Sequence, residues 1–503
     1  RRSHQPGAQD MKVWRRVWGA AAAVLLAFGA CGNGVDAGPR GQKMEAAVDE
    51  VFEDLTAPGS PGCALGVYRD GQMSYAKGYG LANLEQSVPI TPKSVFDIGS
   101  TSKQFTAASI LLLAKQGKLS VDDNVRKYLP ELPDYGNKIT ILQLLNHTSG
   151  LRDYLTLMEL AGINTDSVTT DADALALIVR QRALNFAPGS EWLYSNTGFF
   201  LLSTIVKRVS GKTLREFAAE HIFTPLGMAH TQYRDNHTSL IAERALAYDP
   251  NENKEGYTLN VSYFEQTGDG AVHTSVEDLL KWDENFYSGQ VGGKIFLAEL
   301  QQQGKLNNGK VLDYAKGLRI VEYRGLHTVR HGGSWGGYRA ELLRFPDQHF
   351  SVACLCNLGT ANPSRRANEV ADVYLGSLMK SKDPKKELGE SRKKENSGPP
   401  LTLEQLQAYV GDYWGQELGV TYRLGIGDGN LKVVAVLDRS GLPRTNGFSP
   451  NDLRPAGVDE FSIGGGSATF IFKRDAKGAP SEFALDAGRT TGVIFTRSET
   501  SVR

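Results

Sequence analysis

Apolar residues recur at helical spacing at Met44, Val48, Val51, Phe52 and Leu55, which predicts an amphipathic helix. Strand-like runs at 63–68 and 72–79 flank Arg69-Asp70-Gly71 and predict a hairpin with a tight turn. The apolar run 105–113, stopped by Gly117, reads as a helix. A long stretch of helical periodicity follows at 139–147, 171–183, 197–209, 213–223 and 276–287. The last of these opens on Ser275-Val276-Glu277-Asp278, a capping box. Strand patterns return at 327–333, 337–345 and 349–357, the last two joined by Pro346-Asp347-Gln348, before an amphipathic helix over 366–379.

Strands at both ends with helices between them predict an α/β (α+β) unit. One antiparallel sheet is assembled from the two ends of the unit and flanked by the terminal helices, and an all-helical lobe is inserted. A cleft between lobe and sheet is the natural place for a site. Residues 380–400 shift to Lys, Glu, Ser, Gly and Pro and read as a solvated linker. Beyond it, 409–414, 421–426, 431–436, 468–472, 483–485 and 493–495 alternate or run apolar between turn residues. They predict a small all-β, barrel-like domain with no catalytic cluster of its own. The expected division is therefore 1–38 as an extension and signal, 40–379 as the catalytic domain, 380–400 as linker and 401–503 as the β-domain.

Length and composition narrow this picture. The 503 residues exceed one ordinary domain. Lysine plus arginine balances aspartate plus glutamate at 56 each, so no polyanionic partner such as nucleic acid is indicated. Met11-Lys12 and Arg15-Arg16 precede an apolar stretch, 17–30, that reads as a secretory signal and is too short for a convincing membrane span. The residues before Met11 read as an upstream extension, with translation starting at Met11. Cleavage before Cys31 would leave a lipid-anchored bacterial lipoprotein, and cleavage after Gly29 or Ala37 a free periplasmic protein. The other cysteines, Cys63, Cys354 and Cys356, fall in predicted strands and read as small buried thiols rather than a disulfide framework. No Cys or His spacing indicates zinc, and no cofactor is expected.

Candidate chemistry starts at Ser100-Thr101-Ser102-Lys103, where a turn-like segment gives way to the 105–113 helix. Side chains three apart share a helix face, so Ser100 and Lys103 are expected side by side. A lysine whose ammonium is destabilised by burial can take a serine proton, and N-H groups at the helix start favour charge developing on an attacked carbonyl oxygen. Alone the tetrad is weak: Ser74/Lys77, Ser377/Lys380 and Ser391/Lys394 share its spacing. Tyr194-Ser195-Asn196 follows a breaker-rich loop, 186–190. Tyr194 offers a second proton shuttle, its phenol lowered in pKa near a lysine, and Asn196 a substrate contact. His331-Gly332-Gly333-Ser334 ends a predicted strand. Gly333 permits close backbone approach, Ser334 offers a second oxyanion N-H, and His331 is expected to bind a carboxylate or orient Tyr194.

Together, Ser-x-x-Lys, Tyr-x-Asn about ninety residues later and His-x-Gly on a late strand resemble the signature of the serine β-lactamase and penicillin-recognising superfamily. Order and spacing are most similar to the class C branch with its D-alanyl-D-alanine carboxypeptidases, D-aminopeptidases and family VIII esterases. The resemblance spans roughly 40–378 and includes Tyr79-Gly80, Leu144-Leu145-Asn146-His147-Thr148-Ser149-Gly150-Leu151, Pro225-Leu226-Gly227-Met228 and Gly268-Asp269-Gly270. It implies Ser100 as acyl-forming nucleophile, Lys103 as proton acceptor and Tyr194 as shuttle. Asn196, His331, Gly333 and Ser334 would contact a small-molecule or peptide substrate, without a metal. Class C β-lactamases carry Lys-Thr-Gly at the third motif, so the histidine here implies weaker anchoring of a β-lactam carboxylate. The implied substrates are a D-amino-acid peptide first, a carboxyl ester second and a β-lactam third. The alternative is a penicillin-binding sensor that acylates without turnover, and the β-domain would bind cell-wall material or cap the cleft. No oligomeric state follows from these patterns.

Overall fold

In the computed structural model, residues 39–381 (save 165 and 254), 398, 400–444 and 451–498 are described. The signal region 1–38 with Cys31, and nearly all of the expected linker, lie outside the described residues.

The N-terminal hairpin β1 (Cys63–Arg69) and β2 (Gln72–Tyr79) turns at Asp70 and Gly71, both with positive φ, as a two-residue hairpin requires. It joins β3 (Arg319–Tyr323), β4 (Leu326–Trp335), β5 (Tyr338–Phe345) and β6 (Phe350–Cys356) in one six-stranded sheet of order β3-β4-β5-β6-β1-β2. Every pairing in it is antiparallel. β1 and β6 are buried on both faces, which is why they read as continuous apolar runs. Cys63, Leu65 and Val67 face a core with Val48 and Phe52 and with Val370 and Ala371 of a late helix, Pro363–Leu375. Ala64 and Tyr68 face the opposite core, against Val276 and Leu279.

Four helices are α1 (Pro39–Glu50), α2 (Lys103–Lys115), α3 (Asn196–Ser210) and α4 (Val276–Ser288), of which α2 and α3 carry Lys103 and Asn196. α2 is the most enclosed, with Phe105, Ile110 and Leu113 fully buried, as its largely apolar run foretold. α4 is amphipathic, starts where Ser275 Oγ accepts the Asp278 N-H, and lies on the sheet. One buried ion pair ties it down. Arg344 Nε of β5 donates to Asp283 Oδ1 at 2.6 Å, and Ser351 of β6 donates to the same oxygen. The Arg344 guanidinium also rests 3.9 Å from the Phe286 ring centre.

Eight further strands follow: β7 (Gly411–Gly415), β8 (Val420–Gly427), β9 (Asn430–Leu437), β10 (Asn451–Gly457), β11 (Glu460–Ile463), β12 (Ala468–Arg474), β13 (Pro480–Ala487) and β14 (Thr490–Arg497). Their order, β8-β7-β14-β13-β12-β11-β10-β9, is closed by pairing of β8 with β9, so they form a barrel. Strand alternation fills it with Tyr413, Tyr422, Phe470, Phe483 and Phe495, and a short ninth strand, Pro443–Arg444, pairs with the end of β9 outside the closed ring.

Three readings are corrected. Cys63 and Cys356 sit directly opposite each other on β1 and β6 and form a disulfide, which spacing along the chain could not show because they are 293 residues apart. Cys354 remains a buried free thiol, pushed up to about 12 by burial. The sheet also has a sixth, largely uncovered edge strand, β3, whose few apolar residues carry no clear alternation. In the barrel, β10 was missed because Pro455 and Gly457 interrupt it, and β11 because it spans only four residues.

Removing one member of the Arg344/Asp283 pair strands a buried charge. Asp283→Ala is expected to cost about 3–5 kcal/mol. Replacing both, Asp283→Leu with Arg344→Met, should cost much less, and chemical denaturation of the variants checks both outcomes.

Candidate active site

Ser100 lies on a single 3-10 turn, Gly99–Ser102, that runs directly into α2. Three contacts hold that turn. Asp97 Oδ1 accepts the Gly99 N-H at 2.8 Å, Thr101 Oγ1 donates to the His331 carbonyl at 3.1 Å, and Ser102 Oγ accepts the Val272 N-H. Here the turn and β4 approach backbone to backbone. A Cβ on Gly333 would stand 1.8 Å from the Ile98 oxygen, and one on Gly99, whose φ is +48°, 2.7 Å from Ser334 N. Only glycines allow this closeness, and it sets the Ser334 backbone against the nucleophile turn.

One helical turn on, Lys103 is completely buried beneath Ser100. Its Nζ is 3.1 Å from Ser100 Oγ, 2.9 Å from Asn196 Oδ1 and 2.6 Å from the Asp269 carbonyl oxygen. All three partners are neutral. Loss of water is the largest influence and brings Lys103 down to about 7. The Asp269 carboxyl opposes this fall, Arg489 adds to it and Asp153 opposes it. Burial in turn raises the Asp269 carboxyl, which accepts from the Tyr154 hydroxyl at 3.1 Å.

Asn196 is the first residue of α3, and Asp153 Oδ2 accepts its N-H at 2.6 Å. The same carboxylate caps the helix Tyr154–Leu160 through Thr156 N. Just before α3, the Ser195 N-H donates to Nδ1 of His147. That ring packs 4.3 Å from the Tyr194 ring centre, so His147 fixes the tyrosine from behind. Burial holds His147 well below its usual value, leaving it neutral.

Two electrostatic expectations change. The Tyr194 phenol is raised by burial rather than lowered; Ser100 and Arg489 pull it down only in part. It is therefore a neutral hydroxyl in the free protein, beside Ser100 and with the Lys103 nitrogen 4.9 Å from its ring centre. His331 is likewise buried and brought down to about 3, chiefly by desolvation. Its Nδ1 donates to the Gly332 carbonyl at 2.7 Å and its Nε2 accepts from the Tyr314 hydroxyl at 3.0 Å. With both nitrogens engaged and no charge, His331 orients Tyr314 rather than Tyr194 and presents no cation for a carboxylate.

Ser100, Tyr194, Asn196, His331, Gly333 and Ser334 all line one cavity of about 840 Å³, with Lys103 below its floor. The cavity also takes in residues that sequence reasoning did not assign: Asp97, Tyr314 and, from the barrel, Arg489. Asp153 and His147 act one layer behind. His147 stood in a quoted motif without a role, whereas nothing in the pattern around Asp153, Tyr314 or Arg489 marks them, because their partners are distant in the chain.

A penicillin-binding protein of Bacillus subtilis is 32% identical over 301 residues, which is 57% of this chain and 66% of that protein. A D-aminopeptidase of Brucella anthropi is 28% identical over 338 residues, 66% of this chain and 62% of that protein. The chain thus spans just under two thirds of the length of these relatives. Among solved structures, the octameric penicillin-binding protein homologue from Pyrococcus abyssi superposes with a TM-score of 0.59 at 25% identity, covering 90% of this chain and 99% of that one. The family model described as Beta-lactamase matches residues 48–376, a span that holds the sheet, α2 to α4 and every side chain of the cleft except Arg489, and the chain belongs to that family.

Proposed function

We propose that the protein is a serine hydrolase that works through an acyl-enzyme on Ser100, without a cofactor. The observation that carries this is the buried Lys103 amine held 3.1 Å from Ser100 Oγ among neutral acceptors. In its neutral form the amine donates its two hydrogens to Asn196 Oδ1 and the Asp269 carbonyl. Its lone pair is then free to accept the Ser100 proton. Ser100 Oγ attacks the substrate carbonyl carbon, and the N-H groups of Ser100 and Ser334 stabilise the oxyanion. The carbonyl carbon's bond to the leaving nitrogen or oxygen breaks as Tyr194 donates its proton and recovers one from the Lys103 ammonium. Water then gives a proton to the same relay, attacks the acyl carbon and frees Ser100.

D-amino-acid peptides or amides lead as substrates, supported by the relative named a D-aminopeptidase. Carboxyl esters come second. β-Lactams come third, since the uncharged His331 leaves the third motif without the cation that Lys-Thr-Gly would place there. Export, with Cys31 as an alternative lipid anchor, is supported by the signal pattern of 17–30 and by the buried Cys63–Cys356 disulfide.

Time-resolved intact mass with a short p-nitrophenyl ester, a D-Ala-D-Ala peptide and a penicillin, alongside product release, tests the reading. Wild type is expected to show an adduct or turnover that Ser100→Ala lacks; identical behaviour of the two on all three would refute it. A persistent adduct without product would instead identify a sensor.

Lys103→Met should lower kcat/KM by about 10²–10⁴-fold, the usual worth of a positioned base. Since the base acts when deprotonated and burial holds it at about 7, wild-type kcat/KM on an uncharged ester should rise roughly tenfold per pH unit up to that value and then level off. A rise centred near pH 10 would show that Lys103 keeps the ordinary lysine value and is not a neutral base near pH 7.

A further inference from the structure

The β13 to β14 turn of the barrel is built into the cleft. Catalytic-side residues hold its backbone: Asn185 Nδ2 donates to the Arg489 carbonyl at 3.0 Å, and Asn185 Oδ1 accepts the Thr491 N-H at 2.9 Å. Arg152 Nε donates to the Thr491 carbonyl and Arg152 Nη2 to that of Gly492, at 2.9 and 2.7 Å. Arg152 is itself fixed by a buried ion pair to Glu417 at 2.8 Å. None of these bonds uses the Arg489 side chain. They clamp the turn while its guanidinium lines the same cavity as Ser100.

That guanidinium is only partly committed. Nη2 donates to Asp153 Oδ1 at 3.2 Å, a fully buried carboxylate already shared by Thr156 and Asn196. Among the described residues Arg489 makes no other side-chain hydrogen bond, its side chain is 36% exposed, and it lies 5.4 Å from the Tyr194 ring centre. The other arginines of the cavity are differently placed. Arg330 is taken by Glu341 and Asn368, Arg234 donates to the Ser262 and His237 carbonyls, and Arg339 to those of Gly336 and Tyr338. Arg319 of β3 also lines the cavity, exposed and without an ion pair among the described residues. Five arginines line the cavity against three carboxyl residues, Asp97, Asp269 and Glu341, and with spare arginines on both its barrel side and its sheet side it is matched to an anion.

We propose that Arg489 is a specificity-determining residue that binds a carboxylate of the substrate, so that the barrel completes the active site and selects acidic, carboxylate-bearing peptides over their uncharged counterparts. This deepens the hydrolase reading and rests on the same cleft being the substrate site. Planar guanidinium donors suit a carboxylate bidentately, and one remaining edge of Arg489 is enough for such a contact.

The test is calorimetric binding to the full chain carrying Ser100→Ala, with N-acetyl-D-alanyl-D-alanine and its C-terminal carboxamide as probes. With Arg489 present, the acid is expected to bind about 10- to 100-fold more tightly than the amide, the span of a charge-assisted hydrogen bond. Arg489→Gln should bring the two within about twofold, and Arg489→Glu should invert the preference. A general loosening of the barrel would weaken both probes alike and leave their ratio unchanged. The proposal is overturned if the ratio survives in Arg489→Gln, or if the parent shows no preference for the acid, including by binding neither probe. Because Ser100→Ala removes the chemistry, this result is separable from hydrolysis: acyl transfer on Ser100 can fail while the carboxylate preference stands, and the reverse.

Discussion

An amine without water and without a countercharge in hydrogen-bonding contact is the constraint on which the rest of this site depends. Every donor direction of Lys103 ends on a neutral oxygen, from Ser100, Asn196 or the Asp269 backbone. A carboxylate in any of those places would hold the lysine charged and useless as a base. The architecture keeps carboxylates near but one shell away. Asp269 turns its side chain to Tyr154 and offers Lys103 only its carbonyl, while Asp153 is spent on helix N-H groups and Arg489. The helical lobe supplies Asn196 and Asp153 to this arrangement, and the barrel supplies Arg489.

Much of the site was legible because chemistry and local structure coincide there. Ser100 and Lys103 are brought together by helical spacing alone, and Gly333 signals close approach by lacking a side chain. What stayed hidden depends on tertiary environment. The state of Tyr194 and His331 could not be read from residue type, because burial outweighs Ser100 and Arg489 for the phenol and removes the charge from the imidazole. The Cys63–Cys356 bond was hidden for a related reason: strand register between the two ends of a sheet leaves no local trace. Strong periodicity made the long helices readable, whereas β3, β10 and β11 are short, interrupted or exposed and carry little of it.

The barrel illustrates how a module without catalytic motifs can still belong to a site. Its interior is an ordinary aromatic core, and its sequence pattern speaks only of closure. Its functional contribution comes from one turn, held through backbone carbonyls by Arg152 and Asn185. Asp153 then joins three things in one carboxylate: the start of α3, the cap of its own helix and the barrel arginine. Barrel docking and the placement of Asn196 are therefore linked through a single buried group.

The pairing of β1 with β6 also sets a schedule for the chain as it is made. A ribosome reaches Ser100 early, but the sheet wall beside it needs β4, and the central strand β1 has no partner on one side until residue 356 emerges. Contacts of such long separation close late in folding. Lys103 therefore loses its water, and Ser100 gains its base, only once strands from both ends of the family domain have come together around them. Arg489, later still in the chain, reaches the same carboxylate that holds the start of α3, so the arrival of the barrel and the final setting of Asn196 against Lys103 belong to one event.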